Sequence, residues 1–140
     1  LLAEQNAFFT DSVPEKLVSS LKKVNEKGSY IKTVSVFDET KGIVLYGKNS
    51  FSGSELPSEL KKKLYNLQSR NQEIKYVSFN DQGGWIVLYA SKGYSHFKVS
   101  DDLSAKLKAL SNKGSELNKV FFLGDKWIIV YDKHSYASNL

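Results

Sequence analysis

The stretch Gly83-Gly84-Trp85-Ile86-Val87-Leu88-Tyr89 decides the fold. A glycine pair is turn chemistry, and the apolar, β-branched and aromatic residues after it have the composition of a strand. Upstream, Val77 and Phe79 alternate with polar residues, and Asn80-Asp81-Gln82-Gly83-Gly84 joins that strand to the next as a hairpin. Further upstream, Leu60, Leu64 and Leu67 stand at helical spacing behind Pro57. Helix, strand, turn, strand is therefore the unit.

The unit recurs. Leu17, Leu21, Val24, Gly28, Ile31, Val34, Val36, Ile43, Val44, Leu45, Tyr46 and Phe51 return 43 positions on as Leu60, Leu64, Leu67, Asn71, Ile74, Val77, Phe79, Ile86, Val87, Leu88, Tyr89 and Tyr94. The same shift of 43 leads to Leu103, Leu107, Leu110, Gly114, Leu117, Val120 and Phe122. One residue is then lost in a turn, and a shift of 42 gives Ile128, Ile129, Val130, Tyr131 and Tyr136. Chance does not produce this, and a period in this range marks a tandem array. The N-terminus reads as a partial fourth copy, with Asn6, Phe8 and Val13 on Asn49, Phe51 and Leu56, and Leu1 and Leu2 on Val44 and Leu45. The chain is thus expected to be one repeat domain over 1–140: a partial repeat over 1–12 and full repeats over 13–55, 56–98 and 99–140.

Helices are expected near 14–27, 57–70 and 100–113. Pro14 and Pro57 suit a first helical position, where the missing N–H is not needed. Glu15, Glu59, Asp101 and Asp102 complement the positive helix N-terminus. Gly28, Asn71 and Gly114 stand where a left-handed residue closes a helix. The second strands, Ile43–Tyr46, Trp85–Tyr89 and Trp127–Tyr131, are apolar on both faces, so each is covered twice or keeps one face for a partner.

The Gly83–Tyr89 motif, followed by Lys92-Gly93-Tyr94 and then a helix and strand, resembles a tandem repeat of bacterial proteins. In that repeat a Gly-Gly-Trp strand alternates with a Leu-rich helix every ~40–45 residues. The likeness covers nearly the whole chain and is best in the second copy. The first copy has Gly42 where the Trp belongs, and the third has Lys126-Trp127 in place of Gly-Trp. The resemblance implies architecture and no catalytic residues.

The fold class expected is α+β: three tandem α-β-β repeats forming a mixed or antiparallel six-stranded sheet with three helices on one face, joined by right-handed crossovers. Ile43, Leu45, Ile86, Leu88, Ile128 and Val130 are compact and suit packing under the Leu stripes. The other face then carries Tyr46, Trp85, Tyr89, Trp127 and Tyr131, with Tyr76 and Phe121 from the first strands. Two readings of these aromatics stand open. They form a second core, closed by loops bearing Phe8, Phe51, Tyr94 and Tyr136, or they form an interaction surface for a protein, a second copy, or a glycan.

Composition excludes several classes. The chain has no Cys, so disulfides, thiolate metal sites, iron–sulfur clusters and cysteine nucleophiles are out. Only His96 and His134 offer imidazole, and no metal or cofactor is expected. The net charge of +5 comes from 20 basic and 15 acidic residues, but Arg70 is the single Arg. A Lys coat lacks the forks that read phosphate and base, so nucleic acid is not the expected partner. Lys61-Lys62-Lys63 reads as a solvated helix face. No apolar run is long enough to span a bilayer. Leu1-Leu2-Ala3-Glu4 fits a trimmed signal-peptide tail and fits an arbitrary boundary equally, while the lack of Cys leans toward an extracellular or periplasmic setting. Ser95, His96 and Asp101 or Asp102, or Asp132, His134 and Ser135, are the sets from which a hydrolytic centre would have to be drawn. Neither follows a known nucleophile motif, so no enzyme is expected. The functional expectation is a non-enzymatic binding or scaffold module, acting through protein contact or self-association, with carbohydrate binding as the alternative. Its candidate binding residues are Tyr46, Tyr76, Trp85, Tyr89, Trp127, Tyr131, Phe51, Tyr94 and Tyr136.

Overall fold

The computed structural model of the chain describes residues 2–3, 7–8, 15–38 and 40–140. Leu1, Glu4, Asn6, Val13 and Pro14, used above, lie outside them. The order is β1 (Leu2–Ala3), β2 (Ala7–Phe8), α1 (Glu15–Glu26), β3 (Ile31–Val36), β4 (Gly42–Tyr46), β5 (Ser50–Ser54), α2 (Ser58–Ser69), β6 (Ile74–Phe79), β7 (Trp85–Tyr89), β8 (Gly93–Phe97), α3 (Asp101–Asn112), β9 (Leu117–Leu123), β10 (Lys126–Tyr131) and β11 (Ser135–Ser138). The protein is an α+β repeat fold. Two compact units divide it, Leu1–Gln72 and Glu73–Leu140.

The sheet differs from the one expected. Each repeat closes its own three-stranded antiparallel sheet, β3-β4-β5, β6-β7-β8 and β11-β10-β9, in place of one six-stranded sheet. The added strands, β5, β8 and β11, hold the segments expected to be loops around Phe51, Tyr94 and Tyr136. Turns with Gly47, Ala90 and Asp132 at φ of 60°, 52° and 53° fold each of them back on its neighbour. The partial copy keeps the same register: Leu2 pairs with Phe8 as Leu45 pairs with Phe51, Leu88 with Tyr94 and Val130 with Tyr136.

The helix ends follow the expected chemistry. Gly28, Asn71 and Gly114 have φ of 72°, 54° and 81°. In each case the residue after them donates its N–H back to the last apolar residue of the helix, with Ser29 on Val24 O, Gln72 on Leu67 O and Ser115 on Leu110 O. Pro57 stands one position before α2, as its cap, and Ser100 caps α3 by accepting from Leu103 N–H.

The faces are assigned by the pairing, because residues directly opposite in an antiparallel pair share a face. A one-residue bulge after Ile31, again after Ile74, and a register shift at Val130/Tyr131 opposite Leu117 and Lys119 displace the first strand of each hairpin. Tyr76 therefore pairs with Leu88, and Phe121 with Ile128. Both lie with the compact aliphatics, which corrects their expected place beside the Trp residues. Phe51, Tyr94 and Tyr136 join them there.

The helices are also placed differently. Within Leu1–Gln72, the α1 stripe of Leu17, Leu21 and Val24 packs on Ile31 and Val44, the face of the Trp column. Ser20 Oγ and Ser52 Oγ lie 2.7 Å apart across that contact. Phe51, on the opposite face, meets Tyr65 of α2 with ring centroids 5.2 Å apart. Sheet β3-β4-β5 is thus flanked by helices on both faces. Within Glu73–Leu140, the α3 leucines share one core with Trp127 and Ile129 of their own repeat and with Ile86 and Leu88 of the preceding one. The expectation of all helices on one face gives way, within Leu1–Gln72, to one helix on each face and, within Glu73–Leu140, to a helix shared by two sheets. The small residues Ser52 and Ala137 on the Trp-column face of β5 and β11 leave room for α1 and α3 there.

Candidate functional site

The two tryptophans are interior residues. Trp85 is 4% exposed and Trp127 is 6% exposed. Trp127 Nε1 donates to Asp102 Oδ2 at 3.3 Å, tying β10 to the first turn of α3. Trp85 Nε1 is buried with no hydrogen-bond partner among the described residues, and its ring stacks at 6.2 Å on Phe97. Glu59, which matches Asp102 in the repeat register, faces solvent and pairs with Lys62 Nζ at 3.3 Å. Tyr46, Tyr89 and Tyr131 are half-buried at the ends of their strands. The bare platform of Trp and Tyr is absent: on that face Val44 packs on α1, Trp127 packs on α3, and Trp85 is buried.

Tyr76 and Phe121 meet edge to face at 6.0 Å, and burial pushes the Tyr76 phenol above its ordinary pKa. Tyr94 packs against the α3 core and stacks on His96. Tyr136 stands apart at 71% exposure. It pairs with half-buried Val130 on the outer face of β9-β10-β11, where Phe121, Ile128, Leu123 and Leu140 line an apolar depression. Sequence reasoning missed this surface because it treated Tyr136 as a loop residue. The alternation Ser135-Tyr136-Ala137-Ser138 was the available signal.

A second depression of about 220 Å³ opens beside Trp127, between the β6–β7 turn and the β9–β10 turn. Asn80, Asp81, Gln82, Lys98 and Asp125 line it. Asn80 is committed to structure: its Nδ2 donates to Lys98 O, and its Oδ1 accepts from Gln82 N–H and Gly84 N–H.

The hydrolytic sets are not assembled. His96 Nε2 lies 3.1 Å from Ser104 Oγ, across from α3, rather than on Ser95. No carboxylate bonds its other ring nitrogen among the described residues. Asp102 accepts from the Ser100 hydroxyl, Leu103 N–H and Trp127. The Ser100 hydroxyl leads in holding its carboxyl below the ordinary pKa. Asp132 Oδ1 accepts from Glu116 N–H at 2.9 Å. Lys61 and Lys62 face solvent, with Lys62 Nζ 3.3 Å from Glu59, and Lys63 is half-buried. Among the described residues no group of His, Asp and Glu could hold a metal, and no helix is long and apolar enough to cross a membrane.

Comparison with family models, curated proteins and solved structures finds no match to this chain.

Proposed function

We propose that the chain is a non-enzymatic scaffold module that works by protein–protein contact or self-association through a sheet face. The observation that carries this reading is the outer face of β9-β10-β11, where Tyr136 is 71% exposed and Leu123 and Leu140, 79% and 76% exposed, line one depression with Phe121 and Ile128. Clustered exposed apolar residues of this size are uncommon unless something covers them. The working surface therefore differs from the Trp85 and Trp127 face that composition suggests. The likeness of the Gly83–Tyr89 motif to bacterial tandem repeats supports an architectural role. Light scattering across a concentration series tests the reading, with Tyr136→Ser and Val130→Asp as variants. Association that both variants abolish supports it; a chain that stays at 15.8 kDa and binds glycans on an array overturns it.

Carbohydrate binding is the second reading, and the depression beside Trp127 favours it by gathering amide and carboxylate groups around an indole edge. The indole face, at 6% exposure, is closed to stacking on a sugar ring. Binding there would rest on Asp81, Gln82, Lys98 and Asp125.

A further inference from the structure

We infer that the outer face of β9-β10-β11 is the seat for the helix of a further α-β-β-β unit of this same type. The inference rests on the scaffold reading and names its partner.

Equivalent positions in the other repeats show what such a face is for. Ile43 and Leu45 are 0% and 1% exposed, and Ile86 and Leu88 are both 0% exposed. On sheet β3-β4-β5 that face receives α2: Tyr65 packs on Phe51, and Gln68 Nε2 donates to Asn49 O at 2.8 Å. On sheet β6-β7-β8 it receives α3: the leucines share a core with Ile86, Leu88 and Tyr94, and Ser111 Oγ donates to Lys92 O at 3.0 Å. Gln68 and Ser111 each follow the last leucine of their stripe, and Asn49 and Lys92 occupy one repeat column. Two interfaces of the same register are therefore already present in the chain.

The third sheet offers the same features without an occupant among the described residues. Ile128 and Val130 stand in the columns of Ile86 and Leu88, Tyr136 in that of Tyr94, and His134 O in that of Lys92 O. Phe121 replaces Ser78 in its column, while Lys119, paired with Val130, replaces Tyr76. The occupant that fits has leucines at i, i+4 and i+7 and a side-chain donor at i+8 for His134 O. A second intact copy does not offer this, because the stripes of α1, α2 and α3 are all at most 2% exposed. A further unit does, since its helix shares its stripe between its own sheet and the preceding one, as α3 does.

The test extends the full chain with a duplicate of residues 99–140 placed directly after Leu140, which keeps the repeat register. Denaturant unfolding and nitration of Tyr136 are read against the natural chain. The expected result is a higher unfolding midpoint and nitration of Tyr136 slowed to the rate of Tyr94. Val130→Asp should cancel the gain in the extended chain while leaving the natural chain's midpoint nearly unchanged. Protease removal of the added unit down to the natural chain, or unchanged nitration of Tyr136, overturns the inference. Dimerisation of the natural chain that Val130→Asp abolishes also overturns it, in favour of a second copy, while leaving the scaffold reading standing.

Discussion

The indole N–H of Trp127 reaches the carboxylate of Asp102 at 3.3 Å, so a strand residue and the first turn of the helix before it are tied within one repeat. The same Asp102 accepts from the Ser100 hydroxyl and the Leu103 N–H. The three donors outweigh the opposite push of burial and hold the carboxyl below its ordinary pKa. Asp38 is held low in the same way, first by the Thr40 N–H in its turn. A depressed folded pKa contributes stability above the ordinary carboxylate value of about 3.9 and loses it as the pH falls through the folded value. The thermal midpoint should therefore hold down to about pH 5 and fall below about pH 4. Asp38→Asn with Asp102→Asn should flatten that fall, as read by circular dichroism melts.

The two tryptophans should respond differently to phenylalanine. Trp85 leaves a buried N–H unpaired, and removing such a group recovers about 1–3 kcal/mol of desolvation against the loss of volume. Trp127 has a partner, so the offset is missing. Trp85→Phe should cost clearly less than Trp127→Phe, while either alanine variant should cost about 3–5 kcal/mol in urea unfolding. Equal losses for the two phenylalanine variants would remove the argument.

Gly42 stands in the Trp column for a local reason. A Cβ there would lie 2.8 Å from Leu17 Cδ2 and 3.1 Å from Ser35 O. Gly42→Ala should cost about 1–3 kcal/mol by overpacking, and Gly42→Trp, which restores the repeat motif, should cost more. A stabilised Gly42→Trp protein would show that α1 can withdraw from β4.

Leu88 and Val130 share a repeat column but not an environment. Leu88 is fully buried under α3, and Val130 is partly open. Leu88→Ala should cost about 2–5 kcal/mol, and Val130→Ala less than about 1 kcal/mol. Comparable costs would mean that Val130 is already covered in solution.

Much of this fold is written along the chain. The 43-residue period, the leucine stripes, the Gly28, Asn71 and Gly114 helix ends and the Trp85–Tyr89 strand are local patterns, and each is read from neighbours a few residues apart. The third strands were legible too, in the alternation around Phe51, Tyr94 and Tyr136, but glycine and serine there imitate a loop.

The amino-acid sequence by itself determined that one helix-and-hairpin unit was copied in tandem, because periodicity and turn chemistry act over short distances. Tertiary structure alone decided which face each helix covers. A strand apolar on both faces carries no local preference between them. The choice was made by the bulge after Ile74, which moves Tyr76 to the aliphatic side, and by the small side chains of Ser52 and Ala137, which admit α1 and α3 against the Trp column. That choice buried Trp127 and left Tyr136 in the open.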